Sequence, residues 1–258
     1  MNDALFGYTG LVGQTLLRQR EFQTTYRSTN ISECRGRSFE TVVCAAAPAK
    51  KWLANQKPEE DRAIIGSIIE HLASVRSGRF ILISTVDVFA DPVGVDESTV
   101  IELSALSPYG RHRRELELAV LERFPRSLIV RLPGLVGPGL KKNIIFDLHH
   151  SNNLHAIDSR GVFQFYPLVN LWPDIETAWQ AGLRCVHLTA APVSVARVAE
   201  EGFGRVFVNE LPGTPARYDM QSNHASLYGS SARHSYCARE TILAVRAYAQ
   251  SEPKQGAR

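Results

Sequence analysis

Tyr109 and Arg113 stand four residues apart in the run Ser107-Pro108-Tyr109-Gly110-Arg111-His112-Arg113. On a helix that spacing puts both side chains on one face. A fixed cation beside a phenol favours the phenolate and makes the group a usable general acid or base. Thr85, in Ile83-Ser84-Thr85-Val86-Asp87-Val88-Phe89, offers a hydroxyl that can hydrogen-bond the same substrate oxygen. Asp87 puts a carboxylate at the same strand end. Near the N-terminus, Gly7-Tyr8-Thr9-Gly10-Leu11-Val12-Gly13 spaces three glycines as GxxGxxG. Glycine suits a tight turn, a backbone that must approach a pyrophosphate, and a helix packed closely on a strand. The helix start that follows offers free N–H groups to phosphates.

These groups need elements to hold them. Ala4-Leu5-Phe6 reads as a strand feeding the glycines, and a helical pattern follows through Leu16, Leu17 and Arg20. Phe22 to Arg27 reads as a second strand, and Thr41 to Ala47 as a buried one. Glu59 to Val75 has helical spacing, with Ile64, Ile65, Ile68, Ile69 and Leu72 on one broad face. Arg79 to Thr85 is the next strand. Pro108 to Phe124 is a helix with Leu116, Val120 and Phe124 inward, and Ser127 to Leu132 is a strand again. Apolar strands alternating with helices indicate an α/β chain with a Rossmann-type doubly wound parallel sheet. Beyond Gly139 the pattern weakens. Asp174 to Gly182 and Ser194 to Gly202 read as helices, the latter opened by a serine cap, and Cys185 to Leu188 as a strand. The expected organisation is a dinucleotide-binding domain over 1–140 with strand contributions from about 183–208, a small C-terminal substrate cap over 141–250, and a frayed tail over 251–258.

The 258 residues, 44% hydrophobic and 21% charged, suffice for one full core. Disordered, collagen-like and disulfide-scaffold classes are excluded. A formal net charge of +3 is too small to argue for nucleic acid. The cluster Arg111-His112-Arg113-Arg114 reads as a helix start facing cofactor and solvent, with a nucleic-acid patch the lesser reading. No apolar run is long enough for a membrane span and the first residues lack a secretory pattern, so a cytoplasmic protein without a membrane partner is expected. Cys34, Cys44, Cys185 and Cys237 are not spaced as a metal clip, and no metal site is expected. About twenty residues past the glycines, Tyr26-Arg27-Ser28 holds no carboxylate for a ribose 2′-hydroxyl. Arg27 and Ser28 can instead hold a 2′-phosphate, which favours NADP over NAD. The other reading of Arg27 is a solvated strand-end residue.

In order and spacing, GYTGLVG at Gly7–Gly13, VVCAAAPA at Val42–Ala49, ISTVDVF at Ile83–Phe89, SPYGRHR at Ser107–Arg113 and RLPGLVGPG at Arg131–Gly139 resemble the extended short-chain dehydrogenase/reductase superfamily. The likeness is to its nucleotide-sugar epimerase, dehydratase and reductase branch. It implies an NAD(P)-dependent oxidoreductase or epimerase acting on a sugar, nucleotide-linked, and working as a homodimer. Thr85 matches the hydroxyl that polarises the substrate and Tyr109 the acid/base tyrosine. Gly7, Tyr8, Thr9, Gly10, Leu11, Val12 and Gly13 match the cofactor loop, and Ala45, Ala46 and Ala47 the strand end along the cofactor. Leu132, Gly134 and Leu135 match the loop beside the nicotinamide. Asn143, with Lys141 and Lys142, falls where the family meets the nucleotide diphosphate, and Gln164 and Tyr166 match the segment that closes over the substrate.

Departures from the pattern carry information. The family's YxxxK ends here in Arg113, which keeps the charge but does not readily pass on a proton. Val86 and Asp87 stand where dehydratases place an acid and a base, so dehydration is disfavoured. Ile64 and Ile65 stand where an asparagine is common. The alternative function is therefore a catalytically impaired NAD(P)-binding sensor or scaffold.

Overall fold

The computed structural model describes residues 2–254. The chain opens with β1 (Asp3–Phe6), α1 (Leu11–Gln19), β2 (Thr24–Tyr26), β3 (Ser38–Cys44), α2 (Lys51–Gln56), α3 (Pro58–Ala73) and β4 (Arg76–Thr85). There follow β5 (Val93–Val95), α4 (Pro108–Arg123), β6 (Ser127–Leu132), β7 (Gly134–Val136), α5 (Ile144–His150), β8 (Val162–Phe163) and β9 (Phe165–Pro167). The chain continues through α6 (Leu171–Gln180), β10 (Cys185–His187), β11 (Val193–Ser194), α7 (Val195–Arg197), β12 (Asp219–Met220) and α8 (Ala238–Ser251). No helix among the described residues is long and apolar enough to cross a membrane. Of the expected frayed tail, Ser251 closes α8 and residues 255–258 lie outside those described.

Six strands form one parallel sheet in the order β10-β6-β4-β3-β1-β2, the doubly wound arrangement expected from the apolar strands. The register puts Phe6 beside Tyr26 on one side and Cys44 on the other. Alternation along each strand splits the buried residues between the two faces. Ala4, Phe6, Val42, Cys44, Phe80 and Leu82 share a core with Ile65, Ile68 and Leu72 of α3 and Leu116 and Val120 of α4. Phe80 stacks on Phe124 with ring centroids 4.1 Å apart. The apolar face of α3 is narrower than its sequence suggests: Ile64 is 46% exposed, and the fourth member of the inward row is Asp61.

The chain divides into two compact units. One takes the chain to Ala90, Ser98–Arg131 and Ile175–Val186, and the other Asp91–Glu97, Leu132–Asp174 and the chain from His187. In the second unit β7 pairs in parallel with β9, β8 antiparallel with β11, and β5 in parallel with β12. Ser194 caps α7 through the Arg197 N–H, as expected, but the helix then widens into a π turn over Val198–Gly202. A Cβ on Gly202 would lie 2.6 Å from Val245 Cγ1, so glycine lets that turn seat against α8.

One buried charge cluster ties α4 to the sheet. Glu117 is fully buried. Its Oε1 accepts from Ser84 Oγ of β4 at 2.5 Å and from Arg131 Nε of β6 at 3.0 Å. Its Oε2 accepts from Arg131 Nη2 at 2.8 Å and from Arg114 Nη1 at 2.7 Å. Burial pushes the carboxyl toward its neutral form, but Arg131, Ser84 and Arg114 outweigh it and hold Glu117 below the usual range. Removing one partner of such a buried pair costs about 3–5 kcal/mol. Glu117→Gln should therefore lower the urea midpoint by a stability loss of about 3 kcal/mol. An unchanged midpoint would remove the pair from this role.

Candidate active site

The glycine loop joins β1 to α1, and its glycines have separate reasons to be there. Gly7 has φ +81°, and a Cβ there would fall 2.2 Å from Ala45 O, just past the end of β3. A Cβ on Gly13 would fall 2.3 Å from Gly7 O and 2.6 Å from Tyr8 Cα, so α1 could not start where it does. Gly10 is different. Its only near neighbour is Gly7 O at 3.6 Å, and as N-cap of α1 it provides no side-chain bond to the helix N–H groups. The N-terminus of α1, around Leu11 and Val12, thus keeps donors for an anion. Ala45, half-buried, is fixed by its N–H on Phe6 O at 2.9 Å, with Ala46 and Ala47 following. Arg27 and Ser28 are exposed just beyond β2, where Arg27 Nε donates to Thr29 Oγ1 at 2.9 Å.

Thr85 ends β4, at the carboxyl edge of the parallel sheet where ligands of this architecture collect. Its hydroxyl accepts from the Asp87 N–H and donates to Asp87 Oδ2, both at 3.2 Å. Tyr109 stands in the first turn of α4, with Pro108 before it and Ser107 Oγ capping the Gly110 N–H. Asp87 joins the two segments. Its carbonyl leaves no space for a Cβ on Gly110, which would fall 2.0 Å away. Tyr109 is 7% exposed, and burial raises its pKa above the ordinary phenol value. Arg113 and Lys51 pull it down, and Asp87 and Asp61 push it up.

Arg113 shares the face of Tyr109, its Cζ lying 3.9 Å above the phenol ring. Its hydrogen bonds run elsewhere. Nη1 donates to Asp61 Oδ2 and to Tyr109 O, and Nη2 to Pro48 O. Only Nε is left, buried and without a partner among the described residues. Asp61 also takes His112 Nδ1 at 2.7 Å. Although burial opposes it, the hydrogen bonds from Arg113 and His112 hold the Asp61 carboxyl below its usual range.

Sequence reasoning missed α2 altogether. Its Lys51 and Asn55 are one helical turn apart. Lys51 Nζ lies 2.5 Å from Asp87 Oδ1, and Asn55 Oδ1 accepts the Tyr109 N–H at 3.1 Å. The helix is too short for periodicity to reveal it. Asp61 did leave a signal: it falls in step with Ile65, Ile68 and Leu72, and an acid on a buried row requires partners.

The expected substrate residues lie in the other unit and are largely turned to its own structure. Gln164 is 1% exposed; its Nε2 donates to Ala190 O at 2.7 Å and Met220 O at 2.8 Å, and its Oε1 accepts from Met220 N at 2.7 Å. Tyr166 is fully buried and donates to Asp174 Oδ2 at 2.5 Å. Both side chains are thus buried and engaged within this unit. Asn143 caps α5 through Ile145 N at 2.9 Å and Phe146 N at 3.3 Å, with φ at +101°. Lys141 and Lys142 are exposed beside it. Leu132, Gly134 and Leu135 also belong to this unit. Gly134 is required by close backbone approach, because a Cβ there would lie 2.6 Å from Gln164 O.

No protein-family model and no curated protein sequence matches the chain. Solved structures do. The dTDP-4-dehydrorhamnose reductase of Bacillus anthracis, in complex with NADP, superposes with a TM-score of 0.73 at 17% identity, over 97% of this chain and 99% of that one. The chain shares the fold of that reductase. The dTDP-4-dehydrorhamnose reductase of Clostridium acetobutylicum gives 0.72 at 16% identity, over 97% and 99% of the two chains. The UDP-glucose 4-epimerase of Thermotoga maritima, with UDP-glucose, gives 0.69 at 13% identity, over 97% and 98%.

Asp174 generates a test within the second unit. Burial raises its pKa to about 6, although Tyr166 and Tyr236 donate to its carboxylate. The folded state therefore holds this proton more tightly than the unfolded chain. The stability that this group contributes is complete below the ordinary carboxylate value and is lost as pH rises through about 6. Asp174→Asn should be more stable than the parent at pH 8 by roughly 2 kcal/mol, with the difference shrinking toward pH 4. Urea titrations across that range measure it, and a pH-independent difference would exclude the titration of Asp174.

Proposed function

We propose that the protein is an NAD(P)-dependent oxidoreductase or epimerase of the short-chain dehydrogenase type, acting on a nucleotide-linked sugar and preferring NADP. The observation that carries this reading is the start of α1. Its N–H groups have no side-chain cap, and Gly10 alone among the loop glycines has room in front of it. That is where a pyrophosphate would bind. Gly7 to Gly13 would hold the diphosphate, Ala45 to Ala47 would line the same strand edge, and Arg27 with Ser28 would receive a 2′-phosphate. The partnerless Arg113 Nε would be a donor for a ribose hydroxyl. When bound, the cofactor supplies the hydride donor or acceptor.

The chain's own residues supply the proton chemistry. In the reducing direction, Tyr109 gives its phenolic proton to the substrate oxygen as the carbinol forms; in the oxidising direction its phenolate takes that proton back. Thr85 donates a hydrogen bond to the same oxygen, and to do so must turn its hydroxyl from Asp87 Oδ2. The named neighbours that bind NADP, or carry UDP-glucose, support the cofactor and substrate class. The second reading, a sensor that binds dinucleotide without turnover, draws on the engagement of Arg113 by Asp61 and Pro48.

Variants separate the readings. Gly10→Ala should fold normally yet weaken NADPH binding about tenfold or more, measured by quenching of intrinsic fluorescence. Gly13→Ala should lose stability outright, because its Cβ meets backbone. Tyr109→Phe should keep NADPH binding and lose turnover of a dTDP-4-keto sugar by about 100-fold or more. Binding with turnover absent from the parent protein would establish the sensor. No NADPH binding at all would defeat both readings.

A further inference from the structure

The acid/base role of Tyr109 requires a cation that stabilises its phenolate; Arg113 lies over the ring and lowers its pKa, but it is held in one place. Its guanidinium lies over the ring face, its Nη1 is held by the Asp61 carboxylate and its Nη2 by the Pro48 carbonyl. The Asp61 charge offsets much of its own, and an arginine does not readily pass on a proton. A second cation reaches the same corner from α2. Lys51 Nζ sits 2.5 Å from Asp87 Oδ1, and the other oxygen of that carboxylate holds Thr85. One helical turn on, Asn55 accepts the backbone N–H of Tyr109, so the same short helix grips both Asp87 and the start of α4. Lys51 remains half exposed while Arg113 is 3% exposed. It can move and meet water, as Arg113 cannot.

We propose that Lys51 is a second positioning cation for Tyr109, adding from α2 a mobile charge to the fixed one that Arg113 holds over the ring. This rests on the acid/base role given to Tyr109 above. In the resting arrangement Lys51 neutralises Asp87, which would otherwise oppose the phenolate. When substrate draws Thr85 away from Asp87, the ammonium group remains as the mobile positive charge beside the phenol. The charged groups facing Tyr109 are Arg113 on its own helix, Asp61 on α3, Asp87 after β4 and Lys51 on α2. Of these, Lys51 and Asp87 form the pair whose balance the substrate can alter.

The test is a titration of Tyr109 by NMR of protein labelled with 13C at tyrosine Cζ, assigned through Tyr109→Phe. It needs neither cofactor nor turnover. Lys51→Met should weaken proton dissociation from Tyr109 about tenfold, Lys51→Arg should restore it, and Asp87→Asn should shift it the opposite way. In NADPH-dependent turnover, Lys51→Met should lower kcat about tenfold at neutral pH and move the pH profile upward, with NADPH affinity unchanged. A Lys51→Met protein whose Tyr109 titrates as in the parent overturns the proposal, whether or not the parent turns over. A shifted titration in a protein without turnover supports the proposal and removes only the enzymatic reading. Thermal unfolding of Lys51→Met should match the parent, because Lys51 lies near the surface.

Discussion

The buried pair of Glu117 and Arg131 is the constraint on which the candidate site depends. Tyr109 and Arg113 both ride on α4, while Thr85 is carried by β4. Their relation is therefore set by how α4 docks on the strand ends. Apolar contacts between Leu116, Val120 and the sheet hold the helix down but allow it to slide, because such contacts are not directional. Glu117 supplies the missing direction. Its carboxylate receives two donors from Arg131 of β6, one from Ser84 of β4 and one from Arg114 of its own helix. Ser84 is the residue just before Thr85, so the same carboxylate that locates the helix also locates the strand end.

A second buried acid governs the phenol more directly. Asp61 attaches Arg113 to α3, and with His112 it makes a hydrogen-bonded cluster of three residues on two helices. That arrangement fixes the guanidinium over the Tyr109 ring, where cation–π attraction orients the phenol. It also takes the guanidinium's hydrogen-bonding edge away from the site. Arginine suits this placement better than lysine, because its planar fork serves Asp61, Pro48 and Tyr109 together. The presence of arginine at position 113 is thus tied to the presence of Asp61.

The frame was legible wherever one physical rule dominated. The β6 strand, Ser127–Leu132, agrees residue for residue with its apolar run, and α3 and α4 agree within a few residues, because burial of a periodic face determines them. The glycine loop was legible because only glycine tolerates the contacts at Gly7 and Gly13. The polar side of the site was less so. Arg131, next to last in an otherwise apolar strand, was a signal left unread, and its partner Glu117 is chosen by tertiary packing. Helix α2 has one buried residue, Ala54, and hence no period to read. Gln164 and Tyr166 were given a substrate role by resemblance. The burial of Gln164 follows from pairings with Ala190 and Met220, far along the chain, that no local pattern encodes, and that of Tyr166 from Asp174, eight residues on.

Those inward pairings bear on where specificity can reside. Desolvating a polar side chain is favourable only when its hydrogen bonds are replaced. In the second unit Gln164, Tyr166 and Glu97 have replaced theirs with partners in the protein: Met220 and Ala190, Asp174, and Ser222 with the His187 and Asn223 amides. A substrate hydroxyl would have to displace an existing bond to use any of them. In the first unit the equivalent displacement is slight, because Thr85 holds Asp87 at 3.2 Å and Asp87 has Lys51 to fall back on. In the proposed function, the groups that would exchange a protein partner for a substrate lie at the end of β4, just after it and on α2. Under that function, the exchange would also alter the charge balance that Tyr109 experiences, so binding and proton chemistry would be linked through a single carboxylate.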